Sequence, residues 1–124
     1  MKKERRHQRS DHASEALNHQ LFQVSTRYDL DAMVLADADG HLWAASRWDP
    51  ARSHLANTVA TMGVLAGGRD RFTIAQELGH SVQVHTLQIG QARLYLAAQG
   101  AQARTRPALA HAVDGVERIL GALV

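Results

Sequence analysis

A chain of 124 residues, 45% of them hydrophobic, is sized for one domain with a real core and carries no compositional sign of disorder. It has no cysteine, which excludes disulfides, thiolate nucleophiles and cysteine-ligated zinc together and fits a reducing cytoplasm. The net charge of +2 hides an asymmetry: residues 1–10 carry Lys2, Lys3, Arg5, Arg6 and Arg9 against Glu4, so the remainder is mildly acidic and has no nucleic-acid footprint.

That basic end reads as a flexible, solvated tail, with residues 11–124 forming a single domain. It leads into no apolar segment and is therefore no secretory signal, and no run approaches the ~20 apolar residues of a membrane span. From about Asp11 to Arg27 the periodicity predicts a helix. Leu17, Leu21, Val24 and Tyr28 fall on one stripe, and Ser10 or Asp11 serves as the N-cap.

Two apolar runs follow, Leu30 to Ala36 and His41 to Ser46, joined by Asp37-Ala38-Asp39-Gly40. Asp-Gly between apolar runs predicts a tight hairpin, because glycine takes the left-handed backbone of such a turn without strain. Met33 and Leu35 point to one side of the first strand, and Ala32, Val34 and Ala36 to the other. Neither side is polar, so the strand belongs in the middle of a sheet covered on both faces. Trp43, in the second strand, is expected to pack under a helix, and Trp48 lies in the loop beside Asp49.

Asp49-Pro50 marks the start of a second helix, and Gly67-Gly68 its end. Leu55, Val59, Met62 and Ala66 form its apolar stripe. Beside it runs a stripe of small residues, Ala56, Ala60, Gly63 and Gly67, which admits a close backbone: either the chain's own sheet or a partner helix. Phe72 to Glu77 reads as a short edge strand in preference to a helical turn. Ser81 to Ile89 and Gln91 to Gln99 are two further strands around a tight turn at Gly90. In the first of them the apolar parity shifts from Val82 and Val84 to Leu87 and Ile89, which predicts a bulge or a change of twist. A last helix runs from about Pro107 to Leu123, with Thr105 as its cap. The order is helix, two strands, helix, two or three strands, helix.

The sequence carries no motif with recognisable chemistry. Gly63 to Gly68 lacks the Lys and Ser/Thr of a phosphate loop, and no serine sits in a nucleophile elbow. The eight histidines include no helical pair flanking a glutamate, and the odd spacing of His80 and His85 puts them on opposite faces of a strand. Asp37 and Asp39 are accounted for as turn residues that cap their own backbone. No catalytic residue, cofactor site or metal site is expected.

The ordered set of elements resembles the roadblock/dynein-light-chain family. The matching stretches are Ala32-Met33-Val34-Leu35-Ala36, the turn Asp37-Ala38-Asp39-Gly40, Leu42-Trp43-Ala44-Ala45-Ser46, the helix ending Gly63-Val64-Leu65-Ala66-Gly67, and Leu94-Tyr95-Leu96-Ala97-Ala98 with the helix behind it. The resemblance implies an α+β sandwich of order α-β-β-α-β-β-β-α, its antiparallel five-stranded sheet carrying the first and last helices on one face and the middle helix on the other. It further implies a cytoplasmic homodimer in which middle helices pack together, through Ala56, Ala60, Gly63 and Gly67, and third strands pair. Bacterial proteins of this kind commonly regulate a small Ras-like GTPase without supplying a catalytic side chain. Arg52, His54, Asn57, Thr58 and Thr61 are the corresponding partner-binding candidates. A small-molecule sensor of the profilin-like or GAF type is the alternative, and it requires a roomy pocket that sheet faces filled by Ala, Val and Leu do not favour.

Overall fold

The apolar run after Asp31 becomes strand β1 (Ala32–Asp37), and it lies inside the sheet as its two-sided pattern demands. The computed structural model describes residues 2–47, 50–66, 71–75 and 80–121. Around β1 it places α1 (Lys2–Arg27), β2 (Leu42–Ala45), α2 (Pro50–Leu65), β3 (Arg71–Ala75), β4 (His80–Ile89), β5 (Ala92–Ala101) and α3 (Gln102–Gly121). The five strands pair antiparallel in the order β2-β1-β5-β4-β3. Residues Arg71–Ala75 are therefore a strand, at the sheet's edge.

Two cores lie on the two faces. Leu17, Leu21 and Val24 of α1 and Leu109, Val113, Val116 and Leu120 of α3 bury Met33, Leu35, Leu94 and Leu96. Leu55 and Val59 of α2 bury Val34, Val82, Val84 and Tyr95 from the other side. The first and last helices thus share one face and the middle helix has the other. Among the described residues no helix is long and apolar enough to cross a membrane.

Four expectations are corrected. Helix α1 begins at Lys2, not near Asp11, because the intervening Lys, Glu, Arg and Gln are good helix formers and nothing there breaks the helix. Ser10 and Asp11 are consequently interior positions and cap nothing. Helix α3 begins at Gln102, straight out of β5, so Thr105 is no cap but a fully buried residue within the first turns. Pro107 lies inside this helix, where its missing N–H removes one helical hydrogen bond.

The parity shift in β4 needs no bulge. Its register with β5 is unbroken from His80↔Ala101 to Ile89↔Ala92. Val82 and Val84 face the α2 core, whereas Leu87 and Ile89 face α1 and α3, so the strand simply serves different layers along its length. The irregularity falls on the hairpin instead, where Leu35↔Ala44 is followed by Ala36↔Leu42 and Trp43 is skipped. Trp43 therefore does not pack under a helix. It stands at the surface, 36% exposed, with its indole Nε1 donating to Asp37 Oδ2 at 3.1 Å.

The end of α1 is closed by a two-bond cap. Leu30 N donates to Ser25 O at 2.9 Å and Asp29 N to Thr26 O at 3.3 Å, with Asp29 in the left-handed region at φ 53°. Asp29 also accepts from Arg104 Nη1 at 2.8 Å, tying this corner to the start of α3.

Candidate interaction surface on the middle helix

Helix α2 has an inner and an outer side, and the small residues are on the inner one. Ala56 is fully buried, Ala60 is 4% exposed, and Gly63 is buried. A Cβ on Gly63 would lie 2.5 Å from Tyr95 Cζ. Tyr95 is the largest fully buried side chain of the described residues, and its ring meets Phe72 edge-on with centroids 6.2 Å apart. The close approach that Gly63 permits is thus to the chain's own sheet. Within the chain Gly63 packs on the sheet, Ala56 is buried, and Ala60 keeps 4% of its surface at a cleft that opens outward; Gly67 lies outside the described residues.

The outer side carries Asn57, Thr61, Met62 and Leu65, all exposed, with Leu65 at 74%. Met62, expected in the apolar core stripe, is 36% exposed, and Ala66 is half-buried. Thr58 is half-buried. Arg52 and His54 are on the helix, but their side chains lie outside the described residues. Thr61 Oγ1 donates back to Asn57 O at 2.9 Å, which holds its hydroxyl along the helix.

The hairpin turn borders this surface. Gly40, at φ +89°, needs glycine twice over: for its backbone, and because a Cβ there would sit 2.5 Å from Asn57 Oδ1. Ala38, Asp39 and Gly40 form one wall of a cleft of about 310 Å³ whose other wall is Asn57, Ala60, Thr61 and Leu65. The turn itself is held by Asp37. Its Oδ1 accepts from the backbone N–H groups of Asp39 (2.9 Å) and His41 (3.0 Å), and Oδ2 lies 3.3 Å from His41 Nδ1. Partial burial pushes this carboxyl up, but the N–H of His41, the Trp43 indole, the N–H of Asp39 and the His41 charge outweigh it and hold it below its ordinary value. Asp37, Asp39 and His41 also come within 4.8 Å of one another in the manner of metal ligands, yet both oxygens of Asp37 are already engaged by the turn.

No family model matches the chain, and no curated protein is similar to it in sequence. Solved structures are. Myxococcus xanthus MglB superposes with a TM-score of 0.69 at 18% identity, over 89% of this chain and 91% of that one. An MglB described with a tetrameric arrangement gives 0.66 at 16%, over 90% and 93%. A Roadblock/LC7 domain from Streptomyces avermitilis gives 0.58 at 16%, over 76% and 85%. The chain has the roadblock fold.

Helical spacing in the sequence does not separate the outer side of α2 from its inner side. Asn57 and Thr61 stand exposed as expected, and Met62, Leu65 and the turn at Asp39 join them, which helical periodicity alone did not separate from the core set. The signal that could have found them is the surplus: α2 offers more apolar positions than one half-sheet can cover.

Proposed function

We propose that this protein is a non-enzymatic, dimeric, cytoplasmic regulator or scaffold that binds a small Ras-like GTPase and modulates its nucleotide cycle or localisation. The reading rests on one observation above the others: a roadblock fold whose middle helix leaves Met62 and Leu65 facing outward beside polar, exposed Asn57 and Thr61. A helix finished within its own chain would turn a residue like Leu65 inward. Two copies pack α2 against α2 through this outer side, and the terminal strand β3 extends the sheet into the second copy. Arg52, His54, Asn57, Thr58 and Thr61 then lie along the paired helices, where a GTPase docks. The similarity in fold to the MglB structures, spanning about nine-tenths of both chains, supports a regulatory role without a catalytic residue.

Light scattering gives the mass first, and a dimer is expected. Leu65→Glu places a charge in the helix contact and is expected to yield monomers with an unchanged circular dichroism spectrum. A pull-down from lysate with GDP or a GTP analogue then reads the partner. Recovery of a Ras-like GTPase in one nucleotide state supports regulation of its cycle, and equal recovery in both supports scaffolding. A monomeric wild type that recovers no GTPase would sink the proposal.

A further inference from the structure

On the face opposite α2, helix α3 does not reach the edge of the sheet. Between its flank and strand β3 is a groove of about 420 Å³. Its floor is set by register: Arg71 pairs with His85 and Thr73 with Gln83, so these four side chains share one face of the β3–β4 ladder. Arg106, Ala110 and Val113 of α3 form the wall. Thr73 Oγ1 donates to Gln83 Oε1 at 3.0 Å, and that glutamine is only 6% exposed, so the floor is built and not frayed.

The charge of this groove is one-sided. Arg71 and Arg106 are both exposed, and neither has an ion pair among the described residues, whose two pairs join His41 to Asp37 and Arg104 to Asp29. No Asp or Glu of the described residues lines the groove. Elsewhere the chain beyond residue 10 is net acidic, so two arginines at one cleft with no ion pair among the described residues depart from the surface around them. A guanidinium offers a planar fork of donors that matches a carboxylate.

We propose that the groove between α3 and β3 is a docking site for a short acidic segment of a protein partner. Its carboxylates meet Arg71 and Arg106, and an apolar side chain between them seats against Ala110 and Val113. A volume near 420 Å³ takes a few side chains and not a folded domain. The apolar wall favours a peptide over a bare anion, which has no use for it. The site lies across the sheet from the α2 surface, so it leaves that surface free for a different partner.

The test uses the full chain and a fluorescein-labelled peptide, Glu-Leu-Glu-Leu-Glu, read by fluorescence anisotropy. Arg71→Ser and Arg106→Ser are each expected to weaken binding about threefold, and the double variant about tenfold, the scale of solvent-accessible ion pairs. Arg93→Ser removes the same charge from an exposed position outside the groove and is expected to leave binding unchanged. Binding is also expected to fall as salt is raised. The Gln-Leu-Gln-Leu-Gln peptide is expected not to bind. Equal binding of that neutral peptide, or a double variant that binds like wild type, overturns the proposal. So does no peptide binding at all, and so does arginine-dependent binding of inorganic phosphate or phosphatidylserine vesicles in place of the peptide. None of these outcomes bears on whether α2 recovers a GTPase, so the two readings fail separately.

Discussion

On one face of the sheet, α1 and α3 together bury Leu21, Met33, Leu96 and Val116 completely or nearly so, and the core is closed by the chain itself. On the other, α2 alone covers Val34, Val84 and Tyr95, with Gly63 drawn tight onto the ring and Met62 and Leu65 left outside. The first face spends two long helices on a single layer. The second is covered by one helix of 16 residues, which leaves Met62 and Leu65 exposed on its outer side. The difference teaches where to look for partners: small residues on a helix mark what has already been packed, and large exposed ones mark what has not.

The sharpest break of the closed face is Leu21→Ala. It removes a fully buried side chain between α1 and the sheet and is expected to cost about 3 kcal/mol in urea unfolding, independent of protein concentration. Gly63→Leu tests the other face. A side chain there drives into the Tyr95 ring, so a loss of about 2–3 kcal/mol is expected in the stability of the chain itself, with the fold weakened before any dimer is. If the loss disappeared in dilute, monomeric protein, Gly63 would face a partner and the assignment of sides would be reversed.

Asp37→Asn probes the turn that borders α2, with about 1 kcal/mol expected from the weakened bonds to His41 and Trp43. Because the folded carboxyl is depressed, its contribution is fully present above the unfolded value of about 3.9 and disappears as pH falls through the folded one. The stability gap between wild type and Asp37→Asn should therefore shrink below about pH 4, and a gap constant down to pH 2 would contradict the assignment. The smallest effect belongs to Gly115→Ala in α3. Its new methyl meets the Gln20 side chain from its amide to Cγ, so the shift forced on Gln20 offsets the helix-propensity gain and a net change within about 0.5 kcal/mol is expected.

Much of this was legible in the chain. The hairpin was readable because Asp37 and Gly40 demand their turn locally, and the two-sided burial of β1 followed from Ala32, Val34, Met33 and Leu35 alone. What failed were boundaries and sides. Ser10, Asp11 and Thr105 look like caps, but a cap signal loses when the residues before it continue the helix without a break. The inward contact of Gly63 depends on Tyr95, far away in sequence, and local periodicity carries no knowledge of that ring. Trp43 left its expected place because the hairpin skips one residue and Asp37 offers the indole an acceptor. The groove at Arg71 and Arg106 was invisible for a plainer reason: one residue is on a strand and the other on a helix, and only the fold brings them together.

Strand β4 changes its apolar side midway without changing its register, and this guards the alignment of the sheet. In a strand with a uniform pattern, a slip of one residue harms a single core. Here it would push Val82 and Val84 out of one layer and Leu87 and Ile89 out of the other at the same moment, while Gln83 entered the Tyr95 layer. A misaligned intermediate is thus penalised at both ends of the same strand. The irregular-looking parity of its sequence thus fixes the register of this strand from both faces of the sheet.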